Sequence, residues 1–265
     1  MIDSEMNWNP SQYLKFSQPR LRAAIDLLAR IATEEPRHVY DLGCGAGNVT
    51  RLLYERWPRA SIVGVDKSAA MLARAAQELP QVSWVNHSLA DWSADAPADV
   101  IYSNAALHWL PQHERLLPAL VQSLAPGGVL AVQMPRNFSA PSHTLIGDTV
   151  RAGPWRSRLE PLLAAPPVGE PEFYYELLAP LSASVDIWQT EYLQVLRGDD
   201  PVKEWTKGTW LTQFLDRLEP HEQVAFEQHY AERLRAAYPR RADSTTLFTF
   251  RRLFIVLRTP ANQAL

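Results

Sequence analysis

"VYDLGCGAGNVT", Val39 to Thr50, is the stretch whose reading decides the fold. A short apolar run ends in an acid, Asp41, and Gly43, Gly45 and Gly47 follow at once, alternating with small residues. The run reads as a buried strand, and the segment from Asn48 to Trp57 reads as a helix stopped by Pro58. In an open parallel sheet, ligands bind outside the carboxyl ends of the strands. Glycines at that place let the backbone turn tightly and let a ligand lie against it with no Cβ between. The spacing is not the G-x-G-x-x-G of dinucleotide binders, because position 48 is Asn. Asp41 argues the same way: a carboxylate beside a pyrophosphate repels it, whereas beside a cationic amino-acid group it holds it.

Working outward, Leu21, Ala24, Ile25, Leu28 and Ile31 recur at helical spacing within Arg20–Ile31, and Pro36 closes that segment. "SIVGVD" (61–66) is a second strand, and Ser68 caps a helix running through Leu79. "VSWV", "DVIYSNAA" and "VLAVQM" supply three more strands, with a helix around Glu114–Leu124 and a "PGG" turn before the last of them. Strand alternating with helix over about the first 135 residues predicts an α/β fold, a parallel sheet with helices on both faces. After Met134 the rhythm breaks. Residues 135–180 are rich in proline, with "PWRSRLEPLLAAPPVGEP" the least regular part, "SVDIWQTEYLQVL" (184–196) alternates like a strand, 201–238 is a helical block, and "LFTFRRLFIVLR" (247–258) is a last strand. The two late strands are expected to pair at the sheet edge, and the inserts to form a helical cap. The expected division is an N-terminal lid and first helix (1–37), a cofactor-binding core (38–134), a cap insert (135–183), an edge strand (184–198), a helical cap (199–245) and a last strand with the C-terminus (246–265).

The 265 residues, 46% of them hydrophobic, suit one large or two small globular domains. A net charge of -3 argues against nucleic acid as a partner, and the pairs Arg240-Arg241 and Arg251-Arg252 are too short to change that. Cys44 is the single cysteine, so no intrachain disulfide can form and a reducing compartment is expected. "MIDSEMNWNPSQY" lacks the basic and apolar regions of a secretory signal, and no apolar run approaches the roughly 20 residues of a membrane span. The expectation is a cytoplasmic protein with no membrane partner; the oligomeric state is left open, a monomer included. No H-E-x-x-H, C-x-x-C or G-x-S-x-G occurs, and His108 and His113 are not spaced to share a helix face, so no metal is expected.

With these residues in view, "DLGCGAG" resembles the first motif of the class I S-adenosylmethionine-dependent methyltransferases, and "GVD" ending at Asp66 resembles their second. The resemblance covers about residues 38–134. It implies a Rossmann-like, mostly parallel sheet with one antiparallel edge strand, and S-adenosyl-L-methionine as cofactor, leaving as S-adenosyl-L-homocysteine. It also implies a cofactor set of Asp41, Gly43, Gly45, Gly47, Asp66, Lys67, Ser88, Leu89 and Asn104. Asp41 would reach the methionyl amino end, in part through water, and Asp66 both ribose hydroxyls. "NHSLADW" (86–92) stands where the family meets adenine; Ser88 replaces the family's usual acid, which leaves the amide contact to Leu89. "SNAALHWL" (103–110) matches the fourth-strand motif near the methyl group. Residue by residue, plainer readings compete: a strand-end acid such as Asp66 also caps helices, Asp91 suits an ordinary loop, and Cys44 suits a small buried position.

A narrower resemblance spans nearly the whole chain. "WNPSQYLKFSQPRLRAAIDLLAR", "ALHWLPQHERLLPALVQSLAPGGVLAVQMPRN" and "RLFIVLR" are similar to methyltransferases that esterify one carboxylate of a small tricarboxylic acid. A carboxylate with a pKa near 4 is already ionised at neutral pH, so it can attack a sulfonium methyl in line without a base. The site must then align the reacting atoms, exclude water and hold the other charges. Enzymes of this kind tether the reacting carboxylate with a Trp after the fourth strand and an N-terminal Gln. Trp109 fits the first role, and Gln12 or Gln18 the second. The resulting catalytic set is Trp109, His108 and Gln12, and the substrate set is Tyr13, Arg136, Tyr174, Tyr175 and Arg252. Trp8 and Asn137 lie close by in sequence, and Tyr174 and Tyr175 are expected in a loop. Because a trianion must enter a negative protein, an arginine is required; Arg136 stands first, and only one of Arg251 and Arg252 can point inward. Trp155, Trp188, Trp205 and Trp210 read as cap core. Two rivals stand beside this reading: a methyltransferase acting on another carboxylate, a phenol or an amine, and a cofactor-binding regulatory module without activity.

Overall fold

The computed structural model describes residues 17–163 and 167–261. The first half alternates as expected: α1 (Ser17–Leu28), β1 (His38–Leu42), α2 (Asn48–Arg56), β2 (Ser61–Asp66), α3 (Ala69–Glu78), β3 (Ser83–Asn86), β4 (Ala98–Asn104), α4 (His113–Gln122) and β5 (Leu124–Pro135). The second half supplies α5 (Pro141–Ala152), α6 (Arg156–Leu159), α7 (Pro171–Leu178), β6 (Ser184–Leu196), α8 (Pro201–Lys207), α9 (Thr212–Leu215), α10 (Pro220–Ala237) and β7 (Thr246–Arg258). The sheet has seven strands in the order β3-β2-β1-β4-β5-β7-β6. Strands β1 to β5 pair in parallel, and β7 runs antiparallel to β5 from Val129↔Arg258 to Pro135↔Arg252. The mostly parallel sheet with an antiparallel edge is therefore what the chain forms.

Contacts divide the chain into two compact units. The first, Leu21–Pro135 with Pro167–Thr190 and Arg252–Leu265, holds the parallel strands. Its centre is β4 and β5, where Val100, Ile101, Tyr102, Leu130, Ala131 and Val132 are all essentially inaccessible. Each such aliphatic side chain contributes roughly 1.5–3 kcal/mol of burial, which is why these strands read as unbroken apolar runs. Trp188 of β6 stacks on Phe254 of β7 with ring centroids 4.8 Å apart and planes 7° from parallel.

The second unit, Arg136–Pro166 with Glu191–Arg251 in its described part, is built on its own aromatic core. Trp155, Trp205, Phe214, Phe226, Phe248 and Phe250 pack together there, so Trp155 and Trp205 are core as expected. Buried polar groups inside it are paired: Tyr230 donates to the Ser142 carbonyl at 2.6 Å, and the Trp155 indole donates to the Thr149 carbonyl at 3.0 Å.

The insert 135–183, expected as part of a helical cap, holds α5, α6 and α7. Prolines open several helices, with Pro141, Pro171, Pro201 and Pro220 each in the first turn, where no N–H is needed. Tyr174 and Tyr175 accordingly sit on a helix, not in a loop. The "PGG" turn lies within β5, which begins at Leu124; Gly127 takes φ +73° there and its N–H donates to the Pro260 carbonyl at 2.9 Å.

Gly64 in β2 is fixed by Trp84 of β3, since a Cβ at position 64 would lie 2.4 Å from the indole and 3.1 Å from Cys44 Sγ. Gly64→Ala is expected to destabilise the first unit by about 1–3 kcal/mol through overpacking. Urea denaturation followed by tryptophan fluorescence would measure it, and pairing the change with Trp84→Leu should restore part of the loss.

Candidate functional site

The site begins where the parallel strands end. Gly43, Gly45 and Gly47 all take positive φ, at 76°, 54° and 80°. A Cβ at Gly43 would meet Ala106 at 2.1 Å, so that glycine is needed for packing. A Cβ at Gly45 would meet nothing within 4 Å, so the backbone there is bare on its outer side, as a ligand lying against it requires. Gly47 is the N-cap of α2.

Two carboxylates flank this loop. Asp41, at the end of β1, is 2% exposed, and Thr50 donates to its Oδ2 at 2.6 Å. Burial, opposed by that bond and reinforced by the Asp66 charge, raises its pKa to about 7. Asp66, at the end of β2, accepts from Gly45 N–H at Oδ2 and from Ser68 N–H at Oδ1, both at 2.9 Å. Each carboxylate oxygen can accept more than one donor, so both retain capacity for hydroxyl groups. Cys44 lies between the acids; burial and their charges push its thiol pKa well up, which removes it as a nucleophile.

Strand register extends the row. Asp41 pairs with Gly64 on one side and Tyr102 on the other, Asn104 pairs with Gln133, and Pro135 pairs with Arg252. In-register residues of neighbouring strands share a face, as do residues two apart. Asp66, Asp41, Asn104, Gln133 and Arg252 therefore lie on one face of the sheet. Arg252 is 3% exposed and donates from Nη1 to Gln133 Oε1 at 3.1 Å, whereas Arg251 pairs with Glu191 at 2.6 Å. The inward arginine of the pair is Arg252. Gln133 was not anticipated, because one polar letter inside "VLAVQM" gives no sign of where it points.

Beyond β4 the chain leaves the sheet through Ala105 at φ +54°, a conformation that costs a non-glycine residue roughly 1–2 kcal/mol. It then makes a 3₁₀ turn, Leu107–Trp109, that carries both residues expected near the methyl group. His108 is buried and its ring centroid lies 4.6 Å from that of Trp109, which is half-buried. The turn is held from behind. His113 Nε2 lies 3.0 Å from the Leu107 carbonyl, and Nδ1 lies 2.7 Å from the Tyr174 hydroxyl. A carbonyl only accepts, so Nε2 carries the proton, Nδ1 accepts from Tyr174, and Tyr174 itself accepts from Gly169 N–H at 3.1 Å. Tyr174 is fully buried, and its hydroxyl is bonded to these groups, which links it through His113 to the 3₁₀ turn. Tyr175, the next residue on the same helix, is 57% exposed.

The remaining expectations fall as follows. Leu89 lies beside the glycine loop, its Cδ1 3.6 Å from a Cβ built at Gly43; Ser88 and Lys67 are exposed. Arg136 belongs to the second unit, where it lines a cleft of about 280 Å³ with Asn137, Glu191, Tyr238 and Arg251. Gln12, Tyr13 and Trp8 lie outside the described residues. Among the described residues, no helix is long and apolar enough to cross a membrane, and no three His, Cys, Asp or Glu are grouped to hold a metal ion.

Residues 39–128 match the model of a methyltransferase domain. The chain is 49% identical to a trans-aconitate 2-methyltransferase of Azoarcus sp. (strain BH72) over 94% of its length and 98% of the relative's. It is 45% identical to one of Klebsiella pneumoniae (strain 342) over 95% of its length and 98% of that protein's. Among solved structures, a putative sarcosine dimethylglycine methyltransferase from Galdieria sulphuraria superimposes with a TM-score of 0.54 at 16% identity, covering 91% of this chain and 86% of that one. At that identity the likeness speaks for the fold.

Two expectations follow from this geometry. A ligand with a cationic ammonium at Asp41 favours the ionised acid, whose pKa in the free protein is about 7. Affinity for S-adenosylhomocysteine should therefore rise as pH climbs from 5.5 toward 7.5, approaching tenfold per unit at the acid end, until the ligand's own amino group begins to lose its proton. Calorimetry across that range reads it, and Asp41→Asn should flatten the slope. Tyr174→Phe leaves Gly169 N–H and His113 Nδ1 without the hydroxyl, which should cost about 1–3 kcal/mol of stability. Thermal unfolding reads that loss, with cofactor affinity nearly unchanged.

Proposed function

The chain belongs to the trans-aconitate 2-methyltransferase family, and on that footing we propose that it transfers a methyl group from S-adenosylmethionine to one carboxylate of trans-aconitate, giving a monomethyl ester. The observation that carries the reading in this chain is the row of groups on one sheet face, acids at β1 and β2 and a buried guanidinium at β7.

The acids fit the cofactor. Asp41 is disfavoured as an anion by burial and by Asp66, so an ammonium group beside it relieves both. Asp66 keeps acceptor capacity for ribose hydroxyls while Gly45 and Ser68 hold it in place. Gly45 leaves the cofactor room. When bound, S-adenosylmethionine supplies an electrophilic methyl group on a sulfonium.

The chain's own work is then alignment. A substrate carboxylate is already ionised at neutral pH, so no residue of the chain would have to act as a base toward it. No proton has to move. Trp109, on the 3₁₀ turn that His113 steadies, is assigned to donate its indole N–H to the reacting carboxylate. Gln12 or Gln18 of the N-terminal segment is assigned to the same carboxylate, with Tyr13 nearby. His108, buried against Trp109, fixes the indole plane. Arg252 is assigned to a non-reacting carboxylate, where a trianion needs a cation. A single buried cysteine suits a reducing, cytoplasmic setting.

Labelled methyl transfer to a panel of mono-, di- and tricarboxylic acids, phenols and amines tests the reading. Turnover should favour trans-aconitate. Turnover on phenols or amines alone would replace the substrate class, and cofactor binding with no turnover would favour a regulatory module. Trp109→Phe should lower kcat on the order of 10-fold or more, with S-adenosylhomocysteine affinity nearly intact. A normal kcat with a raised cofactor Kd would instead make Trp109 a wall of the adenosine side.

A further inference from the structure

Gln133 is fully buried in a strand whose neighbours Leu130, Ala131, Val132 and Met134 are also buried and apolar. Its amide orientation is fixed by chemistry. The Arg252 guanidinium offers donors only, so the Gln133 oxygen must face it, as the 3.1 Å contact from Nη1 shows. The amide nitrogen is thereby turned away, and among the described residues it has no hydrogen-bond partner. Asn104, its register partner on β4, likewise has a buried Oδ1 without one. Leaving a buried polar atom unpaired is unfavourable, and an apolar residue at position 133 would avoid it. A ligand that brings an acceptor to Gln133 Nε2 removes the penalty, and the positive charge of Arg252 selects an anionic one.

We propose that Gln133 is a substrate-contacting specificity residue: its Nε2 and the Arg252 guanidinium bind a non-reacting carboxylate of the acid, at the carboxyl end of β5. The inference rests on the polycarboxylate reading above and adds to it the residue that sets the donor pattern. Gln133 has two tasks there. It holds the guanidinium with a neutral oxygen, which adds no negative charge of its own beside it, and it presents an N–H of its own. A glutamate in its place would hold the guanidinium as well or better, yet would neutralise it and oppose the incoming anion.

The experiment compares Gln133→Leu and Gln133→Glu with the parent chain, using trans-aconitate and a partial ester that retains one free carboxylate. Gln133→Leu should raise KM for trans-aconitate on the order of 10-fold, with a much smaller change for the partial ester. Gln133→Glu should raise it further while thermal stability holds, which separates substrate contact from a structural role. S-adenosylhomocysteine affinity, measured by calorimetry, should be unchanged in both, since Gln133 is assigned no cofactor contact. Wild-type-like KM in the glutamate variant, or equal losses for both substrates, would overturn the inference. Should Gln133→Leu fail to fold, the glutamate variant, close in shape, still decides it. Calorimetric binding of trans-aconitate in the presence of S-adenosylhomocysteine distinguishes the two levels. Binding by the parent chain without turnover would overturn the methyl-transfer reading and leave the subsite to be judged by the same comparison of Kd values. No binding of the acid at all would overturn both.

Discussion

A carboxylate buried at the end of β1 constrains everything around it. Asp41 is almost inaccessible, accepts a hydrogen bond from Thr50, and sits near a second acid, Asp66, whose charge further disfavours its ionisation. Two carboxylates so placed call for a cation. The glycine loop answers to the same demand, because the left-handed turn at Gly43 and Gly45 brings bare backbone over the acids and gives Gly45 N–H to Asp66. The sheet order then matters: β2 and β1 carry the acids, β4 leads into the turn with His108 and Trp109, and β5 and β7 carry the amide and the guanidinium.

The turn after β4 illustrates how strain and support are balanced. Ala105 is held at positive φ, and the chain at once folds into Leu107–Trp109. Such a conformation persists only where its surroundings over-determine it. The surroundings are visible: Ala105 N–H donates to the Gln133 carbonyl at 2.9 Å, and His113, itself anchored to Tyr174, holds the Leu107 carbonyl. Residues of the segment 167–178 thus support the turn.

What the sequence disclosed follows from the range of each signal. The glycine loop, both strand-end acids and the buried strands were legible because each is a local pattern with a local cause. The loop expected at Tyr174 and Tyr175 is a helix, because composition does not say whether a proline breaks a helix or opens one; Pro171 opens this one. Arg251 and Arg252 could not be separated, since alternation fixes that they point apart but not which points inward. The antiparallel register opposite Pro135 decides it. The bond between Tyr174 and His113 was not legible either, since the two stand 61 positions apart. Gln133 carried no sequence signal, because its meaning lies in the partner strand.

The polarity of the sheet face bears on the chemistry itself. Transfer of a methyl group from a sulfonium to a carboxylate joins a cation and an anion into a neutral thioether and a neutral ester. Charge is lost along the reaction coordinate, so water, which solvates the separated ions best, opposes it. Withdrawing the reacting pair from water favours the transition state, provided the fixed groups that replace the solvent do not cancel the reacting charges. Acids on β1 and β2 and a guanidinium on β7 meet that condition if they hold the ends of the two reactants rather than the reacting atoms. In the proposed function the groups nearest the reaction are those along β4 and its turn: the amide of Asn104, the ring of His108 and the indole of Trp109. Neutral donors orient a carboxylate without quenching its nucleophilicity, as an arginine in the same place would. The gradient from charged ends to a neutral middle is thus what a base-free methyl transfer between opposite charges requires of a protein.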